Sequence, residues 1–171
     1  YNNHTIDLTP PWQRLSLHEA LIQYAQITAD PFTQTTQFIQ QARTKGHTNV
    51  LQDDSADTAF FKVFLDSVEK HLGTEKPTFL IDYPASMAAL ATRKKNAPHL
   101  AERFELYIDG IELCNAFLEE TDPRENRIRI QETNKKRQAL RKPIPCEDED
   151  FYSAIEAIKG KTYCGNALGF D

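Results

Sequence analysis

The sequence predicts an α+β fold, with helices packed on an antiparallel sheet. Three observations carry that prediction. Apolar residues recur at helical spacing up to Gly73, the middle of the chain switches to alternating runs on either side of an Asp-Gly pair, and helix punctuation then returns ahead of a glycine-marked strand.

Taken in order, a polar lead containing Pro10, Pro11 and Trp12 gives way to Ser16 and Glu19, spaced as a capping box. Leu17, Leu21, Tyr24 and Ala25 follow at helical spacing, which predicts a helix from Leu17 to Ile27. Asp30 and Pro31 open a second helix with Phe32, Ile39 and Ala42 as its apolar side, ended by Gly46. Asp57 caps the strongest helix, whose stripe of Phe60, Phe61, Phe64, Leu65, Val68 and Leu72 runs to Gly73. These three helices read as packing elements. Thr78 to Tyr83 is a β-rich run bounded by Pro77 and Pro84. Phe104–Ile108 and Ile111–Asn115 flank Asp109-Gly110, the strongest short hairpin signal a sequence offers. Asp122 and Pro123 start a long polar helix to about Arg141, and a last helix runs from about Glu149 to Lys159 with Phe151, Ile155 and Ile158 inward. Gly160 ends it, and Tyr163 to Asp171 is the final strand.

Composition narrows the classes. A chain of 171 residues suits one domain with a real core. Its formal net charge of −5 excludes a dominant electrostatic footprint for nucleic acid. The odd number of cysteines, Cys114, Cys146 and Cys164, without a C-x-x-C pair, reads as reduced thiols of a cytoplasmic protein. No apolar run reaches the roughly 18 residues of a membrane span. There is no signal-peptide pattern and no initiator methionine, so the chain is expected to be a piece of a longer one.

Chemistry concentrates on the hairpin. With Asp109 and Gly110 as the loop, Ile108 pairs with Ile111, Tyr107 with Glu112, and Glu105 with Cys114 further out, placing Glu105, Tyr107, Glu112 and Cys114 on one face. Two carboxylates so placed repel or share a cation. Oxygen-only ligation on a rigid sheet suits Mg²⁺ beside substrate phosphates. The plainer alternative is two solvated acids. Beyond them Asn115, Phe117 and Glu119 alternate with Ala116 and Leu118, offering an amide, an aromatic wall and a carboxylate suited to an ammonium. Strict alternation puts Asn115 on the face opposite Glu112, so a shared pocket requires a bulge or twist between them.

The segments Ala101-Glu102-Arg103-Phe104-Glu105-Leu106-Tyr107 and Gly110 to Asp122 resemble the adenylate-site segment of class II lysyl-tRNA synthetases, which read R-F-E and then G-x-E-[IL]-x-N-G-F-x-E. Pro77 to Leu90 resembles the preceding strand, and Cys164-Gly165-Asn166-Ala167-Leu168-Gly169-Phe170-Asp171 is similar to the start of the G-x-G-x-D-R element, motif 3. The resemblance is carried by Pro77 to Asp171. It implies a class II synthetase-type antiparallel sheet flanked by helices, a single partial catalytic domain with a helical segment (1–76) and an active-site segment (77–171), and an ATP-dependent ligase that uses Mg²⁺ and forms a homodimer. Tyr83-Pro84-Ala85-Ser86, and Ala167 where tRNA-charging lysine enzymes carry glycine, point within that family to the elongation factor P (R)-β-lysine ligase subfamily; a methyl-sized change is worth about 1–3 kcal/mol of discrimination. Ala116 departs from the glycine usual in both.

By the same resemblance, Glu105 and Glu112 hold Mg²⁺ and the ATP phosphates, with Leu113 and Gly169 near the nucleotide. Asn115 binds in the amino-acid and phosphate region, Phe117 forms a pocket wall, Glu119 pairs with an amino group of lysine or β-lysine, and Ala167 shapes the pocket. The acceptor is elongation factor P or, in the alternative, tRNA-Lys; a non-catalytic synthetase-like module is the third reading. Motif 2 and the motif 3 arginine are not found, so the piece alone is expected to be inactive. Finally, the long helix carries Arg124, Arg127, Arg129, Lys135, Lys136 and Arg137, with Arg141 and Lys142 at its end, against Glu125 and Glu132. It is either a solvated helix or a face that steers an acidic acceptor.

Overall fold

Ser16 marks where the chain turns from strand to helix. The computed structural model describes residues 5–169. Strand β1 (Gln13–Ser16) runs into helix α1 (Leu17–Ala20). The Ser16 hydroxyl accepts from the Glu19 amide at 3.1 Å and the Glu19 carboxylate accepts from the Ser16 amide at 2.9 Å, the expected capping box. The helix widens into a π turn over Leu21–Ala25 and stops at Gln26, whose φ is 55°, slightly short of the expected Ile27. Strand β1 was not expected, because Gln-Arg-Leu-Ser shows no apolar alternation.

Helix α2 (Thr35–Thr44) starts later than Asp30-Pro31 suggests. The Asp30 carboxylate instead accepts from the amides of Phe32 and Thr33 at 2.9 and 2.7 Å, closing a turn ahead of the helix. Helix α3 (Ala56–Val63) is capped by Ser55, not by Asp57: the Ser55 hydroxyl accepts from Thr58 N–H at 3.2 Å and Asp57 lies in the first turn. The helix then changes winding, to a π turn over Phe64–Val68 and a 3₁₀ turn over Glu69–His71. Its apolar stripe is wider than the surface it covers, leaving Phe61 and Leu65 46% and 56% exposed.

Strand β2 (Thr78–Ile81) pairs parallel with β1, and the three helices form the crossover that parallel pairing requires. Asp82, at φ 60°, ends it before Tyr83. A small separate hairpin, β3 (Arg93–Lys94) with β4 (Ala97–Ala101), also went unforeseen. Strands β5 (Arg103–Ile108) and β6 (Ile111–Leu118) form the predicted hairpin. Asp109 and Gly110 both take positive φ, 53° and 72°, as a two-residue loop of this kind demands. After helices α4 (Pro123–Ala139) and α5 (Glu149–Ile158), strand β7 (Cys164–Leu168) closes the sheet in the order β1-β2-β5-β6-β7. Only β1 and β2 run parallel in that sheet. Phe170 and Asp171, the end of the predicted last strand, lie outside the described residues.

Leu80 and Tyr107 share a sheet face with Glu105 and join Leu21, Phe60, Phe64 and Leu72 in one buried cluster. The helices thus cover one end of that face, and the other end is left for the site. Helix α4 docks through polar contacts. Arg129 donates to the carbonyls of Ala89 and Ala91 and to Glu125, Arg127 pairs with Glu147 and Glu149 over the Tyr152 ring, Lys136 pairs with Asp57, and Arg137 donates to the Pro143 carbonyl. Much of its basic charge is therefore engaged by the protein itself. Tyr152, not Phe151, is the buried residue of α5, because it lies beneath Arg127. No helix among the described residues is long and apolar enough to cross a membrane.

Candidate active site

The site depends on one extra residue in β6. Ile108 pairs with Ile111 and Tyr107 with Glu112, as expected, but Leu106 then pairs with Cys114 and Glu105 with Asn115. Leu113 is the unpaired residue of a β-bulge, and beyond it every β6 side chain changes face. The expected Glu105–Cys114 pairing is overturned: Cys114 points to the opposite face with Leu106. Glu105, Tyr107, Glu112, Asn115, Phe117 and Glu119 share the site face, and the bulge is what unites them.

Glu105 is 6% exposed, and four side chains donate to its carboxylate. Tyr107 donates its hydroxyl to Oε2 at 2.7 Å, and Tyr83 donates to the same oxygen. Arg103 Nη2 lies 2.5 Å from Oε1, and Asn115 Nδ2 donates to that oxygen at 3.0 Å. Burial, followed by the charge of Glu105, raises the pKa values of Tyr83 and Tyr107, so both phenols stay protonated and remain donors.

Glu112 is exposed at the other side of Tyr107. Partial burial raises its carboxyl above the ordinary range and the charge of Glu105 adds to the rise, while Arg103 and the Asn115 amide act against it. Glu69, from the turn after α3, is raised by burial and by Glu105. Leu113, at the bulge, accepts from Gly169 N–H at 2.9 Å, so the two residues assigned to the nucleotide are neighbours. Ala167 pairs directly with Asn115, and Gly165 with Phe117.

Glu119 lies over Gly165, and a β-carbon at Gly165 would overlap its carboxylate oxygen. Burial raises the Glu119 carboxyl, and no cationic side chain among the described residues pairs with it. It borders a cleft of about 510 Å³ between the β3–β4 hairpin and the end of β6. Arg93, Lys94, Lys95 and Lys161 line the same cleft, yet none of them forms an ion pair with Glu119.

Comparison with known proteins identifies the family. The family of class II tRNA synthetases (D, K and N) matches residues 1–171. The chain belongs to that family. It is 38% identical over 162 residues to an elongation factor P–(R)-beta-lysine ligase of Proteus mirabilis, covering 93% of this chain and 49% of that protein. It is 34% identical over 156 residues to a lysine–tRNA ligase of Trichormus variabilis, and 36% over 156 residues to that of Thermosynechococcus vestitus, covering 91% of this chain in both cases and 28% and 30% of those proteins. The chain thus spans about half the length of the first relative and less of the other two.

A class II synthetase implies ATP, usually with Mg²⁺. The donor set fits a hard cation, since both candidate ligands are carboxylates and the Glu112 carboxyl is raised by burial and then by the charge of Glu105, which a cation would offset. Glu105 is different. A carboxylate has about four lone-pair positions, and protein donors hold them all, so a cation at Glu105 must replace one of those donors. Sequence reasoning passed over Arg103, Tyr83, Glu69 and Gly165. Arg103 stands inside the R-F-E triplet and was the most findable; the others come together only through the fold.

Proposed function

We propose that this chain builds one wall of a ligase site that activates a lysine-type amino acid with ATP and transfers it to a lysine of elongation factor P. A carboxylate oxygen of the amino acid attacks the α-phosphorus of ATP as the bond to pyrophosphate breaks. The acceptor amine then attacks the acyl carbon and AMP leaves. In this reading Glu119 takes an ammonium of the amino acid, Phe117 and Ala167 bound its pocket, Asn115 contacts the amino-acid and phosphate region, and Leu113 and Gly169 flank the nucleotide. Glu105 and Glu112 would hold Mg²⁺, which neutralises phosphate charge. Assembly as a homodimer and a cytoplasmic setting belong to the same reading.

The observation that carries it is Glu119, a partly buried carboxylate seated over Gly165 without a cationic partner among the described residues and on the face of Glu105, Glu112 and Asn115. Ala167 and the relatives named for elongation factor P favour that acceptor. The relatives named lysine–tRNA ligase keep a second reading open, in which the acceptor is tRNA-Lys. The test is amino-acid-dependent pyrophosphate exchange by the full-length protein with lysine and with (R)-β-lysine, followed by transfer to purified elongation factor P or to tRNA-Lys. Exchange with either amino acid and transfer only to elongation factor P is the expected result. Transfer only to tRNA selects the second reading, and no exchange with either amino acid refutes both.

A further inference from the structure

One arginine without an assigned role meets three residues that have one, Glu105, Asn115 and Phe117. The Arg103 side chain is 13% exposed, and its guanidinium lies 4.4 Å over the Tyr83 ring and 5.8 Å from the Phe117 ring. Nη1 donates to the Met87 carbonyl at 2.7 Å, which anchors the plane. Nε donates to Oδ1 of Asn115 at 3.2 Å, and Nη2 holds Oε1 of Glu105 at 2.5 Å. Nδ2 of Asn115 donates to that same Glu105 oxygen at 3.0 Å, closing a ring of three side chains.

The ring permits only one orientation of the amide. With Oδ1 toward Arg103 and Nδ2 toward Glu105, every donor meets an acceptor. Turning the amide over would set Nδ2 against the Arg103 Nε–H and Oδ1 against a carboxylate, two repulsive contacts in place of two hydrogen bonds. Without the guanidinium the amide oxygen loses its donor, and only the contacts of Nδ2 with carboxylates remain to orient the amide. The arginine is suited to the task because it offers several donors in one rigid plane, which an ammonium cannot do.

We propose that Arg103 is a positioning residue. It locks the Asn115 amide and the Glu105 carboxylate in one mutual geometry and so sets the groups that meet the amino acid and the phosphates. The proposal rests on the activity inferred above for its kinetic readout but not for its structural one. Arg103→Lys keeps the charge and removes the fork. In the full-length protein the maximal rate of pyrophosphate exchange should fall by about 10²-fold, the effect of misplacing reacting groups by about 1 Å, while Tm falls by only several degrees, as expected for hydrogen bonds lost from a buried carboxylate, and the protein stays folded at the assay temperature. Asn115→Ala made in the Arg103→Lys background should cost little more, because the amide is already unlocked. Independently of activity, the Asn115 side-chain NH₂ signals in ¹⁵N-asparagine-labelled protein should be slow to exchange in wild type and fast in Arg103→Lys. An unchanged Asn115 signal in Arg103→Lys overturns the proposal whatever the enzyme does. So does a wild-type exchange rate, a rate loss matched by loss of folded protein, or a double variant whose losses multiply. Inert wild-type protein with the expected amide shift would count against the proposed activity alone.

Discussion

Replacing Tyr107 by phenylalanine removes one oxygen from a residue that is 1% exposed and leaves its ring in the core. The lost group is one of two donors on Oε2 of Glu105. A hydrogen bond to a charged group contributes about 1.5–3 kcal/mol. Tyr83 still satisfies the same oxygen, so the lower end applies, about 1.5 kcal/mol, equivalent to a fall in Tm of about 3–6 °C for a chain of this size. Tyr83→Phe alone should behave alike, since the ring beneath Arg103 is kept. Together the two changes leave Oε2 without a donor while the carboxylate stays buried, so the double variant should lose about 1 kcal/mol more than the sum of the singles. Urea denaturation measures this as a shift in midpoint at constant m. A single variant within about 0.5 kcal/mol of wild type, the range of a surface change, or a strictly additive double, would show that Glu105 does not depend on these hydroxyls.

Three further outcomes follow from the geometry. Gly165→Ala puts a methyl where the Glu119 carboxylate lies; the flexible acid moves aside, the fold survives, and amino-acid affinity measured by calorimetry on the full-length protein should fall about 10–150-fold, the worth of a charge-assisted bond, while ATP affinity changes little. Gly73→Ala meets backbone instead: at φ 72° its β-carbon would collide with the Tyr107 carbonyl, and soluble yield and Tm should both drop sharply. Glu69, Glu112 and Glu119 are all raised above their ordinary values. The unfolded chain releases those protons first, so their contribution to stability is whole at low pH and is lost as pH rises through and above the usual carboxylate range. Melting curves for Glu112→Gln should show a weaker loss over that window than wild type, and an equal loss would remove Glu112 from the account.

Local features were legible where a few neighbouring residues decide them. The Ser16–Glu19 capping box, the Asp109-Gly110 turn and the Asp122-Pro123 helix start each appear as read, because each depends on residues three or fewer apart. The misreadings have the opposite character. Strand β1 exists because β2 offers it an edge, and Asp57 lost the cap to Ser55 by two positions within one polar cluster. Phe61 and Leu65 belong to the apolar stripe by spacing yet face outward, since what covers a helix is set by its neighbours.

The sequence alone supplied the residue types of the site and their order along β6, together with the turn that starts the register. Composition and spacing were enough to say that two glutamates and an amide–aromatic–carboxylate row lie close together. Which face each takes was decided only in the tertiary structure, by a single bulged residue, Leu113. Strand alternation has period two, so one inserted residue reverses every side chain after it; alternation showed that a shared pocket needs a bulge or twist between Glu112 and Asn115, but nothing local in Glu-Leu-Cys-Asn says that it occurs or that Leu113 is the bulged residue. Arg103 and Tyr107 flank Glu105 two residues away on one strand face, but its burial also needs Tyr83 and the helices, distant in sequence, to meet over that face.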